Sequence, residues 1–177
     1  AEYIGRGFRI LKVKIGRSVE EDVERLHCIR QEMGRDVTIR VDANQGYSVD
    51  QFKYFLRRTA SLELELIEQP LPACDLAGMR HLPEAVRKKV AADESLLNAR
   101  DVLTCLEHPR PLGIYNIKLM KCGGVAPAMQ IAEIANLAGI DLMWGCMDES
   151  IVGIAAVLHA ALASPATRYL DLDGHLD

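Results

Sequence analysis

The stretch Val37-Thr38-Ile39-Arg40-Val41-Asp42-Ala43-Asn44-Gln45-Gly46 is an alternating apolar run that stops at a carboxylate and breaks into a turn. Val37, Ile39 and Val41 share one face of a strand, and Asp42 stands at its end. Ser48 follows as a helix N-cap, ahead of Phe52, Phe55 and Leu56 at helical spacing. Outward from this unit, the chain carries seven such apolar runs. Six end in a charged residue: Lys14, Asp42, Glu68, Asp93, Lys118 and the pair Asp171/Asp173. The seventh, Ile140-Asp141-Leu142-Met143-Trp144, opens into Gly145-Cys146-Met147-Asp148-Glu149-Ser150. The first five charged positions are 28, 26, 25 and 25 residues apart, and the gap of 53 to Asp171 fits two more units.

Strands are expected at 8–15, 37–41, 62–67, 89–92, 114–119, 140–144 and 168–172. Between them Ser18, Ser48, Asp75 and Asn98 are placed to start helices, and Gly34 to stop one. Gly123-Gly124 opens a further helix that turns Ile131, Ile134 and Leu137 inward. An apolar helix at 151–162 is stopped by Pro165. Strict alternation of seven strands with six helices makes the class α/β, with a parallel sheet and right-handed crossovers. An open doubly wound sheet alternates too, but it gathers its useful strand ends at one switch point. Here nearly every strand contributes one, which predicts a (β/α) barrel whose strand ends face a common centre.

A chain of 177 residues, 49% of them hydrophobic, supports one substantial domain with a real core. The net charge of -4 gives no sign of nucleic acid or an anionic membrane as partner, and no apolar stretch has the length of a membrane span. The start, Ala1-Glu2-Tyr3-Ile4, does not read as a signal peptide. Five cysteines (Cys28, Cys74, Cys105, Cys122 and Cys146) are scattered without a C-x-x-C pair, which fits a reducing cytoplasm better than a disulfide framework or a zinc site.

Asp42, Glu68 and Asp93 end three consecutive strands. Three convergent carboxylates repel one another, so a cation is expected among them. All-oxygen ligands suit a hard divalent ion, and Mg²⁺ keeps positions for water or substrate. Taken singly, each acid reads as well as a helix cap or a solvated loop charge. Asn44, Gln69 and Glu94, just beyond the acids, either orient ligands or shape the turns. Lys14 and Lys118 bracket the acids in strand order, which in a closed barrel sets them on opposite sides of the metal. A lysine becomes a general base where neighbouring positive charge and desolvation favour its neutral form, and Lys12, on the same face as Lys14, supplies such charge. A Lys-x-Lys pair aimed into a barrel reaches solvent only at the mouth. Lys121, in the turn before Gly123, reads as exposed. Asp171 and Asp173, on one face of the last strand, suit a cationic substrate group such as an α-ammonium, or else are a strand end running into solvent. Cys146 is a reactive-thiol candidate or, more plainly, a half-buried free cysteine.

Five motifs, Leu11-Lys12-Val13-Lys14, Val41-Asp42-Ala43-Asn44-Gln45-Gly46, Ile67-Glu68-Gln69-Pro70, Ala92-Asp93-Glu94-Ser95 and Asn116-Ile117-Lys118, resemble the enolase superfamily, and within it the muconate-lactonising-enzyme subgroup. The Asp171-x-Asp173 pair resembles the dipeptide epimerases, of the L-Ala-D/L-Glu epimerase type. The resemblance runs over essentially the whole chain. It implies one Mg²⁺ per subunit held by Asp42, Glu68 and Asp93, with Lys14 and Lys118 exchanging the substrate's α-proton on opposite faces. Lys12 and the metal would stabilise an enolate, Asp171 and Asp173 would hold the substrate's amino terminus, and Cys146 and Met147 would lie near the dipeptide backbone. Asn44 and Glu94 would support the ligands from outside. The implied partner is a small dipeptide, and the implied full-length protein is a cytoplasmic homo-oligomer.

The superfamily's barrel has eight strands and an N-terminal capping domain. The 177 residues fit a partial C-terminal catalytic barrel domain, a TIM-like barrel truncated to about seven parallel strands (second to eighth) and six helices, without the cap, the first strand or the last helix. An open seven-stranded arc would expose two edges and an apolar wall, and is expected to be poorly stable alone. The leading expectation is a Mg²⁺-dependent dipeptide epimerase. The alternatives are another enzyme of the subgroup (cycloisomerase, o-succinylbenzoate synthase or N-acylamino acid racemase) or, in a different class, an inactive truncated fragment.

Overall fold

The structure, a computed structural model, describes residues 2–174. It divides into two compact units, one ending at His81 and the other beginning at Leu82. Among the described residues there are seven strands and nine α-helical segments.

The first unit opens with a one-turn helix α1 (Glu2–Gly5) and holds three strands, β1 (Ile10–Lys14), β2 (Thr38–Asp42) and β3 (Ile67–Glu68). They pair in parallel in chain order, with Lys14 beside Asp42 and Asp42 beside Glu68. Helix α2 (Val19–Met33) connects β1 to β2. Ser18 caps its start by accepting from the Glu21 N–H, and Glu20, Glu21 and Asp22 complement the helix dipole in the first turn. Gly34, at φ 71, stops it and donates its N–H to the Arg30 carbonyl. The Arg30 guanidinium in turn donates to the carbonyls of Leu62, Gly34 and Val37, tying the helix end to the entry of β2. Helix α3 (Val49–Thr59) starts in a Ser48/Gln51 capping box and buries Phe52 and Phe55 completely. Each ring stabilises the unit by roughly 1.5–3 kcal/mol. Helix α4 (Leu76–Arg80) is capped by Asp75.

The strand expected at 62–67 is realised only in part. Leu62, Leu64 and Leu66 are buried, as alternation predicts. However, residues Ala60–Leu62 form a 3₁₀ turn, Glu63 sits in the left-handed region at φ 54, and regular pairing is confined to β3. The intervening backbone still bonds to β2, Glu65 N–H to Ile39 O at 3.0 Å and Val41 N–H to Leu66 O at 3.2 Å.

The second unit begins with α5 (Glu84–Arg87), set off from α4 by Pro83. Its four strands, β4 (Val90–Ala92), β5 (Ile114–Ile117), β6 (Asp141–Gly145) and β7 (Thr167–Asp171), are parallel and paired in chain order. Helix α6 (Ala99–Leu106), with an Asn98/Asp101 capping box, joins β4 to β5. A one-turn helix α7 (Leu119–Cys122) and then α8 (Val125–Ala138) join β5 to β6, and α9 (Ile151–Ala163), capped by Ser150, leads to β7. Trp144 is fully buried and donates its indole N–H to Thr167 Oγ1 at 2.9 Å, pinning β6 to β7.

The six expected helices stand as the connections between strands. The count rises to nine because the third connection splits at Pro83, α7 precedes α8, and α1 lies ahead of β1. The inward face of α8 differs from expectation. Ala128, Ile131, Ala132 and Ala135 are buried, whereas Leu137 is 82% exposed. Leu137 stands two residues on from Ala135, about 200° round the helix, and so falls on the opposite face.

Candidate active site

In the first unit, β1, β2 and β3 deliver Lys12, Lys14, Asp42 and Glu68 to neighbouring positions. Asp42 and Glu68 are adjacent in register and fully buried. The Lys12 ammonium lies 2.8 Å from Glu68 Oε2 and 3.4 Å from Asp42 Oδ2, with its side chain 15% exposed. Lys14 donates to Asp42 Oδ2 at 2.6 Å and to Asn44 Oδ1 at 3.1 Å. The Asn44 backbone N–H donates to Asp42 Oδ1 at 3.0 Å, so Asn44 touches both the acid and the lysine. Alternation does put both lysines on one face. The two differ in exposure: the Lys12 side chain is largely withdrawn from solvent, whereas that of Lys14 is 66% exposed. Among the described strands, β1 pairs only with β2.

The turns beyond β2 and β3 are strained and cross-tied. Asn44 (φ 42), Gln45 (φ 69) and Gln69 (φ 33) all occupy positive φ, a cost of about 1–3 kcal/mol each for non-glycine residues in poorly populated regions. Gln45 N–H bonds to Gln69 O at 2.8 Å, Tyr47 N–H to Pro70 O at 3.0 Å, and Ala73 N–H to Gln45 Oε1 at 2.9 Å. Gly16, at φ +102, and Gly46 bring the loops after β1 and β2 together, main chain against main chain. A Cβ on Gly46 would fall 2.1 Å from the Gly16 carbonyl oxygen. Gln69, expected to orient a ligand or shape a turn, bonds through its side chain to Leu71 O at 2.9 Å and shapes the turn.

In the second unit, Asp93 follows β4 and Lys118 follows β5. Lys118 donates to Asp93 Oδ2 at 2.7 Å. Lys121 donates to Asp93 Oδ1 at 2.5 Å, and also to the carbonyls of Asp93 and Asn116. Lys121 is therefore not the exposed turn residue that its sequence position suggests; its side chain is only 5% exposed. The signal available in the sequence is the i, i+3 spacing of Lys118 and Lys121, which one helical turn converts into a pair on one side. Burial pushes the Asp93 carboxyl up, but the charges of Lys121 and Lys118 and their hydrogen bonds outweigh it and hold its pKa down at about 2. Glu94, next in the chain, is half-buried.

Further along this unit, Gly145 ends β6 beside Asp171, which ends β7. A Cβ on Gly145 would meet Asn116 Oδ1 at 2.7 Å and Lys118 Cε at 3.0 Å, so the glycine makes way for the lysine stem. The Cys146 thiol faces the Asp171 carbonyl at 3.4 Å. Burial raises the Cys146 pKa, a hydrogen bond with the Gly174 backbone opposes that, and the charges of Asp173, Asp171 and Glu149 raise it further. Cys146 is thus held as a neutral thiol near both aspartates. Met147 is 42% exposed on the loop beyond. The last strand stops at Asp171, one residue short of expectation, so Asp173 lies past the strand and is exposed.

Asp42 and Glu68 offer buried, all-oxygen donors whose charge needs a cation close by, which suits a hard divalent ion. In the structure that charge is met by Lys12 and Lys14, as Lys118 and Lys121 meet that of Asp93. Among the described residues no group of three or more His, Cys, Asp or Glu side chains is arranged to hold a metal ion.

The sequence profile of the enolase C-terminal domain-like family matches residues 1–176. The chain belongs to this family. Among relatives of this enolase-family chain, the L-Lys-D/L-Arg epimerase of Desulforapulum autotrophicum is 58% identical over 176 residues, covering 99% of this chain and 49% of the relative. The crystal structure of the dipeptide epimerase from Methylococcus capsulatus with Mg and the dipeptide L-Arg-D-Lys is 53% identical, with a TM-score of 0.96, over 99% of this chain and 50% of that one. The substrate-liganded L-Ala-D/L-Glu epimerase of Bacillus subtilis is 35% identical, with a TM-score of 0.91, over 99% of this chain and 49% of that one. The fold class is therefore that of the enolase-superfamily barrel domain, with seven parallel strands. The chain spans about half the length of the curated relatives it matches. Among the described residues, no helix is long and apolar enough to cross a membrane.

Proposed function

We propose that this chain carries the catalytic groups of a Mg²⁺-dependent dipeptide epimerase that inverts the Cα of the C-terminal residue, with cationic dipeptides of Lys and Arg as substrates. The observation that carries the proposal is the pairing of each strand-end lysine with a buried carboxylate, Lys14 on Asp42 and Lys118 on Asp93. The substrate class follows the relatives. Those named L-Lys-D/L-Arg epimerase are 58% and 53% identical, against 36% for that named L-Ala-D/L-Glu epimerase in Bacillus subtilis. This shifts the substrate from the L-Ala-D/L-Glu type that the motifs alone suggest.

In this mechanism one of Lys14 and Lys118, in its neutral form, takes the Cα proton. The C–H electron pair moves into the adjacent carboxylate to give an enolate, and the ammonium of the other lysine returns a proton on the opposite face. Lys12, held beside Glu68, lends positive charge where the enolate develops. Asp42, Glu68 and Asp93 would hold Mg²⁺, which supplies electrophilic stabilisation to the substrate carboxylate when bound. Asn44 and Glu94 orient the ligands from outside. Asp171 and Asp173 grip the substrate's α-ammonium, and Cys146 and Met147 border its backbone.

The test is to incubate the full-length protein with Arg-Lys and Lys-Arg dipeptides and Mg²⁺ in D₂O, following Cα deuterium by NMR. Uptake at the C-terminal Cα, lost on chelation, is expected; no Mg²⁺-dependent uptake with any dipeptide overturns the proposal.

A further inference from the structure

Lys121 occupies the third position of α7, one turn after Lys118. The two ammonium groups meet the same carboxylate from different oxygens, Lys118 on Asp93 Oδ2 at 2.7 Å and Lys121 on Oδ1 at 2.5 Å. They differ in how they are held. The Lys121 ammonium also donates to the main-chain oxygens of Asp93 at 2.7 Å and Asn116 at 2.8 Å. An ammonium has three hydrogens, and three oxygens take them. Two of those three are main-chain atoms, fixed by the ends of β4 and β5. Lys121 is therefore anchored to the frame of the unit, and Oδ1 of Asp93 is anchored to Lys121. The turn that sets this geometry is closed by Gly123, at φ 95, whose N–H bonds to Leu119 O.

We infer that Lys121 confines Asp93 to ligation through a single oxygen and so sets the preference of the site for a small octahedral cation over a larger one. The inference rests on the reading of Asp93 as a Mg²⁺ ligand. Ca²⁺ accepts about 6–8 oxygens and takes carboxylates through one oxygen or both, whereas Mg²⁺ demands a near-ideal octahedron that the narrow bite of one carboxylate does not fit. An oxygen that accepts from a fixed ammonium commits one lone pair and holds the carboxylate plane in that direction, which disfavours chelation and so weakens for Ca²⁺ a ligand mode that Mg²⁺ does not need. Charge alone does not discriminate. A nearby ammonium repels two divalent ions to a similar extent, so the ratio of their affinities isolates the positioning effect.

The experiment is calorimetric titration of the metal-stripped full-length protein with Mg²⁺ and, separately, Ca²⁺. In Lys121→Met the Mg²⁺:Ca²⁺ affinity ratio is expected to fall by about tenfold, the lower end of what groups supporting metal ligands contribute. Lys121→Arg, which keeps charge and donors, is expected to hold the ratio near that of the unaltered protein. Lys118→Met leaves the Oδ1 clamp in place and is expected to move both affinities together. If circular dichroism shows that Lys121→Met does not fold, Lys121→Gln makes the same comparison. An unchanged ratio in the folded neutral variant overturns the inference while the Mg²⁺ reading stands. Failure of the unaltered protein to bind either cation overturns both.

Discussion

Tyr47 donates its hydroxyl to Asp22 Oδ2 across 2.8 Å, and both residues are buried. The same oxygen accepts the Gly16 N–H at 2.8 Å, and Arg25 pairs with the other oxygen. Asp22 thereby fastens the first turn of α2 to the loops after β1 and β2, the loops that border Lys14 and Asp42. Burial, the hydrogen bond to Asp22 and the charge of Asp22 all raise the Tyr47 pKa well above 10.0. A raised folded-state pKa gives stability that is fully present below the unfolded value and is lost as pH rises from there through the folded value. Tyr47 is thus expected to make the protein lose stability above about pH 10. Tyr47→Phe is expected to cost about 1.5–3 kcal/mol at pH 7, the range for a hydrogen bond to a charged group, and to flatten that alkaline decline. Thermal melts from pH 7 to pH 11 on both proteins check this; parallel declines would refute it.

Gly46→Ala is expected to destabilise by about 1–3 kcal/mol, the usual range for forcing extra atoms into a packed interior. The added methyl would land 2.1 Å from Gly16 O and 2.5 Å from Gly16 Cα, both backbone atoms that cannot swing aside. Gly5→Ala, with nothing within 4 Å, is the control and is expected to be near neutral. Urea midpoints at constant slope measure both.

Lys118→Met is expected to lower epimerisation by roughly 10²–10⁴-fold, the range of a lost acid–base group, while leaving the protein folded. Lys121 still pairs with Asp93 in that variant. Cα deuterium exchange and a thermal melt on the same sample separate the two effects. Loss of the cooperative melt together with activity would show that Lys118 matters for folding instead.

Asp171→Asn and Asp173→Asn are each expected to lower kcat/KM by about 10- to 100-fold on dipeptides with a free amino terminus, as a charge-assisted contact of about 1.5–3 kcal/mol implies. N-succinyl amino acids have no α-ammonium for the pair to grip, so any turnover of them should be unaffected. The Bacillus cereus N-succinyl-L-Arg/Lys racemase, 36% identical to this chain, makes this a real contrast. Little or no loss in either variant on dipeptides would move the assignment toward another enzyme of the subgroup, such as a racemase.

The strands were legible in the sequence because apolar alternation coincides with a carboxylate or lysine at six of the seven strand ends, and the helix starts because Ser18, Ser48, Asp75 and Asn98 are short polar caps; the structure adds Ser150 as a fifth. The run 62–67 misled because alternation reports which side chains are buried, not which backbone groups pair; a 3₁₀ turn and a left-handed Glu63 satisfy the first without the second. Lys121 was missed because a lysine beside Gly123-Gly124 reads as a loop charge. Its burial depends on a one-turn helix too short to show periodicity and on carbonyl oxygens that no sequence displays. Cys146 is the half-buried free cysteine that is the plainer of its two sequence readings; burial first, and then the charges of Asp173 and Asp171, raise its pKa.

The joining of Gly16 to Gly46 through main-chain atoms has a consequence for how such a protein diversifies. The loops that frame Lys14, Asp42 and Asn44 draw part of their rigidity from a glycine contact that no side chain mediates. The side chains displayed on those loops are not what makes that seam, which is main chain against main chain. Because an added Cβ at either glycine would strike main-chain atoms, drift at either one should be far more damaging than drift at most of the exposed loop positions around them.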